Sequence, residues 1–408
     1  MSGETRHVPV ADAERTAVLD ALRGFALLGI CVSHLPDFSG YAYLPPAEQM
    51  ALDRFGVDAS VSFALEFLIS GKFLSLFSLL FGIGFAIQLE SARRRGARFA
   101  IHFARRLAIL FGIGLVHGLI WYGDILRDYA WLGLFLIPTA RWSARATALA
   151  AAAMLLARAA WPFLVFAAAA KLVPITAAAA PGDPTLDYFF ERTRSFAEPD
   201  WIAAFHANLD LLRIKALQLI YEGKVISILA MFLLGAWIGK TNLHRNLDAN
   251  RRTLMRVLAV CAPIGVLGNA LLTPLAATTH DYPPTAAWLG AQVLFAVAVP
   301  AMTLAYASGF ALLWLRPARV LLRLLAPAGR MALTTYVSQT LIGVGVFYGV
   351  GLGLRGGVGA VDCILIALAL FSLQCAASAL WLRRFRFGPL EWCWRRATYG
   401  VPLAMTRS

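Results

Sequence analysis

Several ionisable residues stand inside stretches that otherwise read as lipid-facing. "LDALRGFALLGICVSH", residues 19 to 34, carries Arg23 near its start and His34 at its end. Eleven positions of a helix are almost three turns, so both side chains fall on nearly one face, with a rise of roughly 16 Å between them. A neutral imidazole at that depth has the chemistry of a general base or a nucleophile. An arginine offers a planar fork suited to phosphate. Ionisable residues inside membrane segments tend to face an interior cavity and to mark function. The bland readings are a snorkelling arginine and a buried, satisfied histidine.

A second constellation is "RRLAILFGIGLVHGLIWYGDILRDYAWLGL", residues 105 to 134. His117 lies towards the far end of one apolar run, and Asp124 follows in the turn. Gly123-Asp124 has the form of a helix N-cap. Asp124 could instead orient a histidine or bind a substrate hydroxyl. Trp121 and Tyr122 read as an interfacial aromatic belt. Lys72 and Lys224, with Glu66 and Glu222, place further charge near the outer ends of spans, where pairing costs little if a polar cavity exists. Gln88, Asn269, Gln292 and Gln339 read as interhelical hydrogen-bonding groups. The five cysteines, Cys31, Cys261, Cys363, Cys375 and Cys393, form no CxxC, and support neither a disulfide framework nor a metal site. No glycine-rich nucleotide loop follows a strand.

The elements that must position these groups are membrane helices. Of 408 residues 59% are hydrophobic and 15% charged, and mean hydropathy is +0.67. A soluble chain is nearer half apolar and a quarter charged. A span needs about 20 mostly apolar residues. Ten stretches qualify: 18–37, 70–90, 103–122, 125–140, 146–169, 217–239, 254–275, 285–314, 329–352 and 359–381. The expected fold class is therefore all-α, a polytopic transmembrane bundle whose first partner is the lipid bilayer.

Loop charge sets the expected orientation. Arginines cluster at 93–106, 245–256, 316–330 and 383–396, and the alternate loops are poor in them. Both termini are then cytoplasmic. The net charge of +14 sits in these clusters and not on a soluble face, which argues against nucleic acid. The expected organisation is a tail at 1–17, a helical domain at 18–382 and a basic tail at 383–408. The first helix is expected to stay uncleaved, because "HLPDFSGY" after it does not read as a cleavage site. A long outer loop, 170–216, is expected to form a short amphipathic helix with Tyr188 and Trp201. "GKFLSLFSLLFG" at 71 and "GKVISILAMFLL" at 223 share Gly, Lys and Ser in register, a faint repeat that would set Lys72 and Lys224 at similar depths.

"LDALRGFALLGI", "GKFLSLFSLLFGIGFA", "HGLIWYGDIL", "AGRMALTTYVSQT" and "FGPLEWCWRRATYG" together resemble the YeiB-like family of bacterial inner-membrane proteins, which bears a domain of unknown function. The resemblance covers residues 16 to 400. The family's first helix is similar to that of two groups of transmembrane acyltransferases. One is the acyltransferase-3 family, which modifies cell-surface glycans; the other contains the lysosomal heparan glucosaminide acetyltransferase. Acyltransferase-3 proteins carry an Arg, ten residues, then a His, and Arg23 and His34 fit that spacing. Most YeiB-like proteins have Asn where His34 stands.

The resemblance implies a multi-pass protein of the bacterial inner membrane. It implies a cytoplasmic acyl-CoA donor and a carbohydrate or lipid-linked acceptor on the far side. His34 would be the base or acyl carrier and Arg23 would hold the donor side. His117 and Asp124 would line the acceptor side, with Lys72 and Lys224 as further binding candidates. The residues alone suit two rivals: a small-solute transporter or permease, and a non-catalytic membrane subunit or sensor.

Overall fold

The computed structural model describes residues 17–172, 191–278, 285–400 and 402–407. Among these the chain is helical, with no strand beyond an isolated bridge between Phe385 and Thr406. The chain begins with α1 (Ala17–Ser39), α2 (Pro46–Leu52), α3 (Asp58–Leu68), α4 (Lys72–Arg94) and α5 (Phe99–Ile120). It continues with α6 (Leu126–Gly133), α7 (Ala144–Leu172), α8 (Trp201–Tyr221), α9 (Lys224–Lys240) and α10 (Arg251–Ala276). Next come α11 (Ala286–Trp314), α12 (Arg319–Arg323) and α13 (Ala326–Arg330). The last three are α14 (Ala332–Phe347), α15 (Ala360–Arg384) and α16 (Pro389–Tyr399).

Among the described residues seven helical stretches are long and apolar enough to cross a bilayer: α1, the nearly continuous α3–α4 unit, α5, α7, α10, α11 and α15. Taken together α8 and α9 are long and apolar enough as well, but are bent by 67°. The polytopic all-α class stands, and the count differs from ten for local reasons. The stretch 125–140 holds only the eight residues of α6 before 3-10 turns at Leu134–Leu136 and Pro138–Arg141. Pro138 has no backbone N–H to continue a ladder. The stretch 217–239 straddles Gly223, whose φ of +68° ends one helix and starts another. The stretch 329–352 contains α14 alone, 16 residues long.

The expected loop at 170–216 also changes character. Asp200 accepts hydrogen bonds from the N–H groups of Ile202 and Ala203 and so starts α8, a helix of 21 residues. Trp201 is exposed at its first position. Tyr188 and the N-terminal tail through residue 16 lie outside the described residues. The C-terminal segment is a docked element: Trp394 Nε1 on α16 donates to the Arg106 carbonyl at 2.8 Å.

The faint repeat is structural. Gly71 (φ +75°) precedes Lys72 and α4, and Gly223 precedes Lys224 and α9. In each, the serine three positions after the lysine returns its N–H to the glycine carbonyl, at 3.0 and 3.1 Å. The two helices run parallel and in close contact. A Cβ on Gly82 would overlap the Phe232 backbone, and one on Gly235 the Leu79 backbone. Small residues permit such approach where the medium is as apolar as the helix surface. In the same way, Gly24 and Gly329 let α1 lie against the segment Leu325–Gly329.

Three of the four amides expected to bridge helices do so. Asn269 Nδ2 reaches the Ala298 carbonyl at 3.2 Å, Gln339 Nε2 reaches Gln374 at 3.1 Å, and Gln292 accepts from Arg158 at 2.7 Å. Gln88 instead bonds the Gly84 carbonyl of its own helix.

Replacing Gly82 by Val should lower stability by about 1–3 kcal/mol through overpacking. Gly112, which faces open space, should tolerate the same change. Thermal unfolding of the two variants in detergent checks the difference.

Candidate functional site

The arginine clusters gather at one end of the bundle. Arg245 pairs with Glu90 at 2.7 Å, and Lys240 Nζ donates to the carbonyls of Thr139 and Trp142 at 2.7 and 3.0 Å. A cleft of about 230 Å³ enters from this end between α1, α4, α5, α14 and α16. Arg23, Arg106, Arg330 and Arg395 line its mouth region, and Ile30, Leu126 and Tyr336 lie at its depth. Arg23 turns inward: it pairs with Asp20 at 2.7 Å. Arg106 stacks on Trp394 at 3.6 Å.

The wall contributed by α16 is held by Glu391. Its carboxyl accepts from the N–H of Leu333 (2.7 Å), the N–H of Thr334 (3.1 Å) and the Thr334 hydroxyl (2.6 Å), so it caps the start of α14. Burial pushes this carboxyl up from its ordinary pKa, and the donated hydrogen bonds oppose that push.

Beyond the cleft lies an aromatic partition. The His34 ring centroid sits 4.5 Å from that of Trp121 and 6.1 Å from that of Tyr336. The His117 ring lies 5.2 Å from Tyr336 on another side. Neither imidazole lines the cleft; Tyr336 stands between it and them. His117 Nδ1 donates to Asp124 Oδ1 at 2.8 Å, and both side chains are buried. Asp124 also accepts from the N–H groups of Leu126 (3.1 Å) and Arg127 (2.9 Å) at the start of α6. Capping and histidine orientation, alternatives in sequence, are thus both present. His117 Nε2 and His34 Nδ1 have no hydrogen-bond partner. A carboxylate that holds Nδ1–H leaves Nε2 as the proton-accepting atom of a neutral ring.

Trp121 and Tyr122 do not form an interfacial belt. Both are buried, at 0% and 1% exposure. The belt expectation fails because the α5–α6 turn folds inward, with Asn208 of α8 accepting from the Tyr122 N–H at 2.8 Å.

At the distal end a polar cluster follows. Tyr122 OH lies 2.7 Å from Tyr43 OH, which donates to Asp37 Oδ1 at 3.0 Å. Burial and then the surrounding negative charge hold both phenols well above their ordinary pKa, so both stay protonated. Lys215 Nζ lies 5.1 Å from the centre of the Tyr122 ring. Arg355 donates to the carbonyls of Asp37 (3.1 Å) and Phe38 (2.8 Å) and so closes the end of α1.

Lys72 and Lys224 sit at the two glycine breaks, outside the cleft. Lys72 is fully buried and donates to the Glu66 carbonyl at 2.7 Å. Lys224 pairs with Glu222 at 2.6 Å.

The sequence reading missed Asp37, Tyr43, Lys215, Tyr336, Arg355 and Arg158. Asp37 was legible, since it follows His34 by three positions and shares its side of the helix. Lys215 falls on the stripe Ala204, Asn208, Leu211, Leu219, the buried face of α8, but the helix expected there was a short one on the outer surface. Arg158 stands midway along the alanine-rich α7. There it donates to Ser227 Oγ at 3.1 Å and Gln292 Oε1 at 2.7 Å.

Fold and site together define a multi-pass helical membrane protein with polar chemistry buried between two compartments. The chain belongs to the YeiB-like family. It is 31% identical to the uncharacterized protein YxaH of Bacillus subtilis (strain 168), over 96% of each chain. It is 29% identical to the uncharacterized protein YeiB of Escherichia coli (strain K12), over 94% of this chain and 96% of that one. An uncharacterized 39.9 kDa protein in the amylase 3' region of Bacillus acidopullulyticus is 28% identical over 96% of each chain. Residues 238–401 match the family model described as a protein of unknown function, DUF418. No solved structure matches the chain.

Asp124→Ala should cost about 1–2 kcal/mol from the lost cap. Combined with His117→Ala it should be non-additive by roughly 0.5–3 kcal/mol, because each residue satisfies the other. Thermal unfolding of the two single variants and the double variant measures that coupling.

Proposed function

We propose that this protein is an acyltransferase of the bacterial inner membrane. It moves an acyl group, such as acetyl, from cytoplasmic acyl-CoA to a hydroxyl of a carbohydrate or lipid-linked acceptor on the far side. The observation that carries the reading is the cleft with four arginines near its mouth and two imidazoles just past its closed end. By the positive-inside rule the arginine-rich end faces the cytoplasm.

The cleft, at about 230 Å³, is smaller than the roughly 300–1,000 Å³ of pockets that enclose a whole ligand. It suits the slender thioester arm of CoA, with the phosphates left at the mouth against Arg23, Arg106, Arg330 and Arg395. Guanidinium groups bind phosphate in fork geometry. For the reaction, Tyr336 turns aside and the thioester carbonyl meets the acceptor beside His34. His34 takes the hydroxyl proton as the oxygen attacks the carbonyl carbon. The C–S bond then breaks, an ester forms, and the imidazolium returns the proton to the leaving thiolate. His117, oriented by Asp124, lines the acceptor side and offers Nε2 to a second hydroxyl. Lys72, spent on a backbone carbonyl, serves the fold. Lys224 borders the distal cluster.

A permease is the second reading, and one observation favours it: two parallel helices that each begin at a glycine break and pack against each other. Discontinuous, repeated helices are common at transporter binding sites.

Purified protein, acetyl-CoA and a panel of sugars decide between them. Acceptor-dependent CoA release should fall about 10²–10⁴-fold in His34→Ala, the usual contribution of a general base. Arg23→Ala should raise KM for acetyl-CoA more than it lowers kcat, as expected for lost donor binding. No acetyl-CoA binding, together with solute uptake in proteoliposomes, would replace acyl transfer by transport.

A further inference from the structure

The distal cluster holds two charges that have no oppositely charged group within 4.0 Å among the described residues. Arg355 is spent on the end of α1, and Lys224 on Glu222. Asp37 receives the Tyr43 hydroxyl on Oδ1, and Oδ2 has no hydrogen bond among the described residues. Lys215 projects from the buried stripe of α8 onto the face of Tyr122. Among the described residues no carboxylate lies within 4.0 Å of its ammonium. Asp37 and Lys215 nonetheless act on each other electrostatically, and Lys215 also acts on His34. The pair is thus close but not in contact, with the unpartnered Nδ1 of His34 on the same helix as Asp37.

The chemistry of that gap is selective. An ammonium has three donors and no acceptor, and a carboxylate accepts only. A second carboxylate or a phosphate would satisfy Lys215 and be repelled by Asp37. A cationic amine would do the reverse. Hydroxyl groups both accept and donate, so an uncharged molecule that carries several of them suits both sides. Stacked aromatic rings stand beside the gap: Tyr122 on Phe196 at 6.0 Å and Phe196 on Tyr348 at 4.5 Å. They offer an apolar surface to the carbon skeleton of a ligand.

We infer that Asp37 and Lys215, which meet at the Tyr43–Tyr122 pair, are the two jaws of a distal binding site that takes an uncharged polyhydroxylated molecule, a polyol or sugar ring, by its hydroxyls. The inference rests on the acyl-transfer reading only for the ligand's role as acceptor; the binding itself follows from the cluster. Lys215 and Asp37 are then specificity residues, and His34 lies where the clamped hydroxyl would meet a base.

The test reads binding and not turnover. The full chain in nanodiscs is titrated with methyl α-glucoside and myo-inositol, and separately with sodium acetate and methylammonium chloride at matched ionic strength. Tryptophan fluorescence, to which Trp121 contributes, and thermal unfolding report occupancy. The expected result is saturable binding of at least one neutral polyol and none of the two ions. Lys215→Met and Asp37→Asn should each weaken that binding tenfold or more. Lys215→Arg, which keeps a donor-only cation, should retain it within a few-fold and serves as the folded control. Saturation by acetate or methylammonium in place of the polyols would overturn the inference. So would polyol affinity unchanged in both loss variants, or no binding by any probe, which would leave water as the occupant. Because CoA release is not read, failure of acyl transfer would leave this result standing, and the reverse also holds.

Discussion

The hydrogen bond from His117 to Asp124 decides where the two compartments meet. It joins the last turn of α5 to the first turn of α6 across a tight connection. With that connection closed, Trp121 and Tyr122 have no route to the surface and turn into the bundle. Trp121 then packs on His34, and Tyr122 completes the chain to Tyr43 and Asp37. A buried imidazole without such a partner would leave its N–H unsatisfied in a medium that offers no water, at a cost of about 1–3 kcal/mol. The pair is therefore both a structural clasp and a chemical group held in one orientation.

Helix α1 runs past every part of this arrangement. Arg23 lies near the cleft mouth, Ile30 at its depth, His34 against the partition and Asp37 in the distal cluster. From Arg23 to Asp37 is 14 residues, about 21 Å of helix. The same helix is among the most deeply packed, with Gly24 laid against the backbone of Leu325. A helix so fixed is a rigid rail for groups whose relative depth matters, and motion between compartments falls to the partition side chains. Tyr336 is the one that meets both the cleft and the two imidazoles.

How much of this was legible follows from the range of each signal. Long apolar runs are local, so the class and most spans could be read directly. Breaks at Gly71 and Gly223 are also local, but a glycine in an apolar run looks like a packing position until its φ is known. His117 and Asp124 were visible as residues and not as a pair, since pairing depends on how α6 turns back. Trp121 and Tyr122 follow the same logic: belt and core aromatics are alike in sequence, and the fold of one turn separates them. Lys215 was hidden because the helix was expected to be short and to lie on the outer surface, where no buried stripe makes a lysine stand out. Asp37 was overlooked inside "HLPDFSGY", a stretch weighed only as a cleavage site at the edge of the first span; α1 continues past it to Ser39.

The repeat explains why the cluster lies at one break and not at the other. Both units begin with Gly-Lys, yet α3 and α4 stay nearly in line while α8 and α9 bend by 67°. Gly71 meets the Phe295 ring, an apolar neighbour that α3 can pass over. Gly223 meets Trp161 and Arg158, which bind the chain on both sides of it. Trp161 Nε1 takes the Tyr221 carbonyl at the end of α8, and Arg158 takes Ser227 in the first turn of α9. A buried guanidinium demands several acceptors at once, and meeting that demand here pins both sides of the break. The bend carries the inward stripe of α8 across the distal end of α1, setting Lys215 over Tyr122 and Asn208 against the α5–α6 turn. The α3–α4 break is held from α11 instead, where Tyr306 donates to the Leu68 carbonyl at 2.8 Å and Thr303 to the Lys72 carbonyl at 3.1 Å, and Lys72 folds back onto its own unit. One repeated motif thus supplies packing in its first copy, held from α11, and a charged wall of the distal cluster in its second, where Arg158 and Trp161 pin the bend.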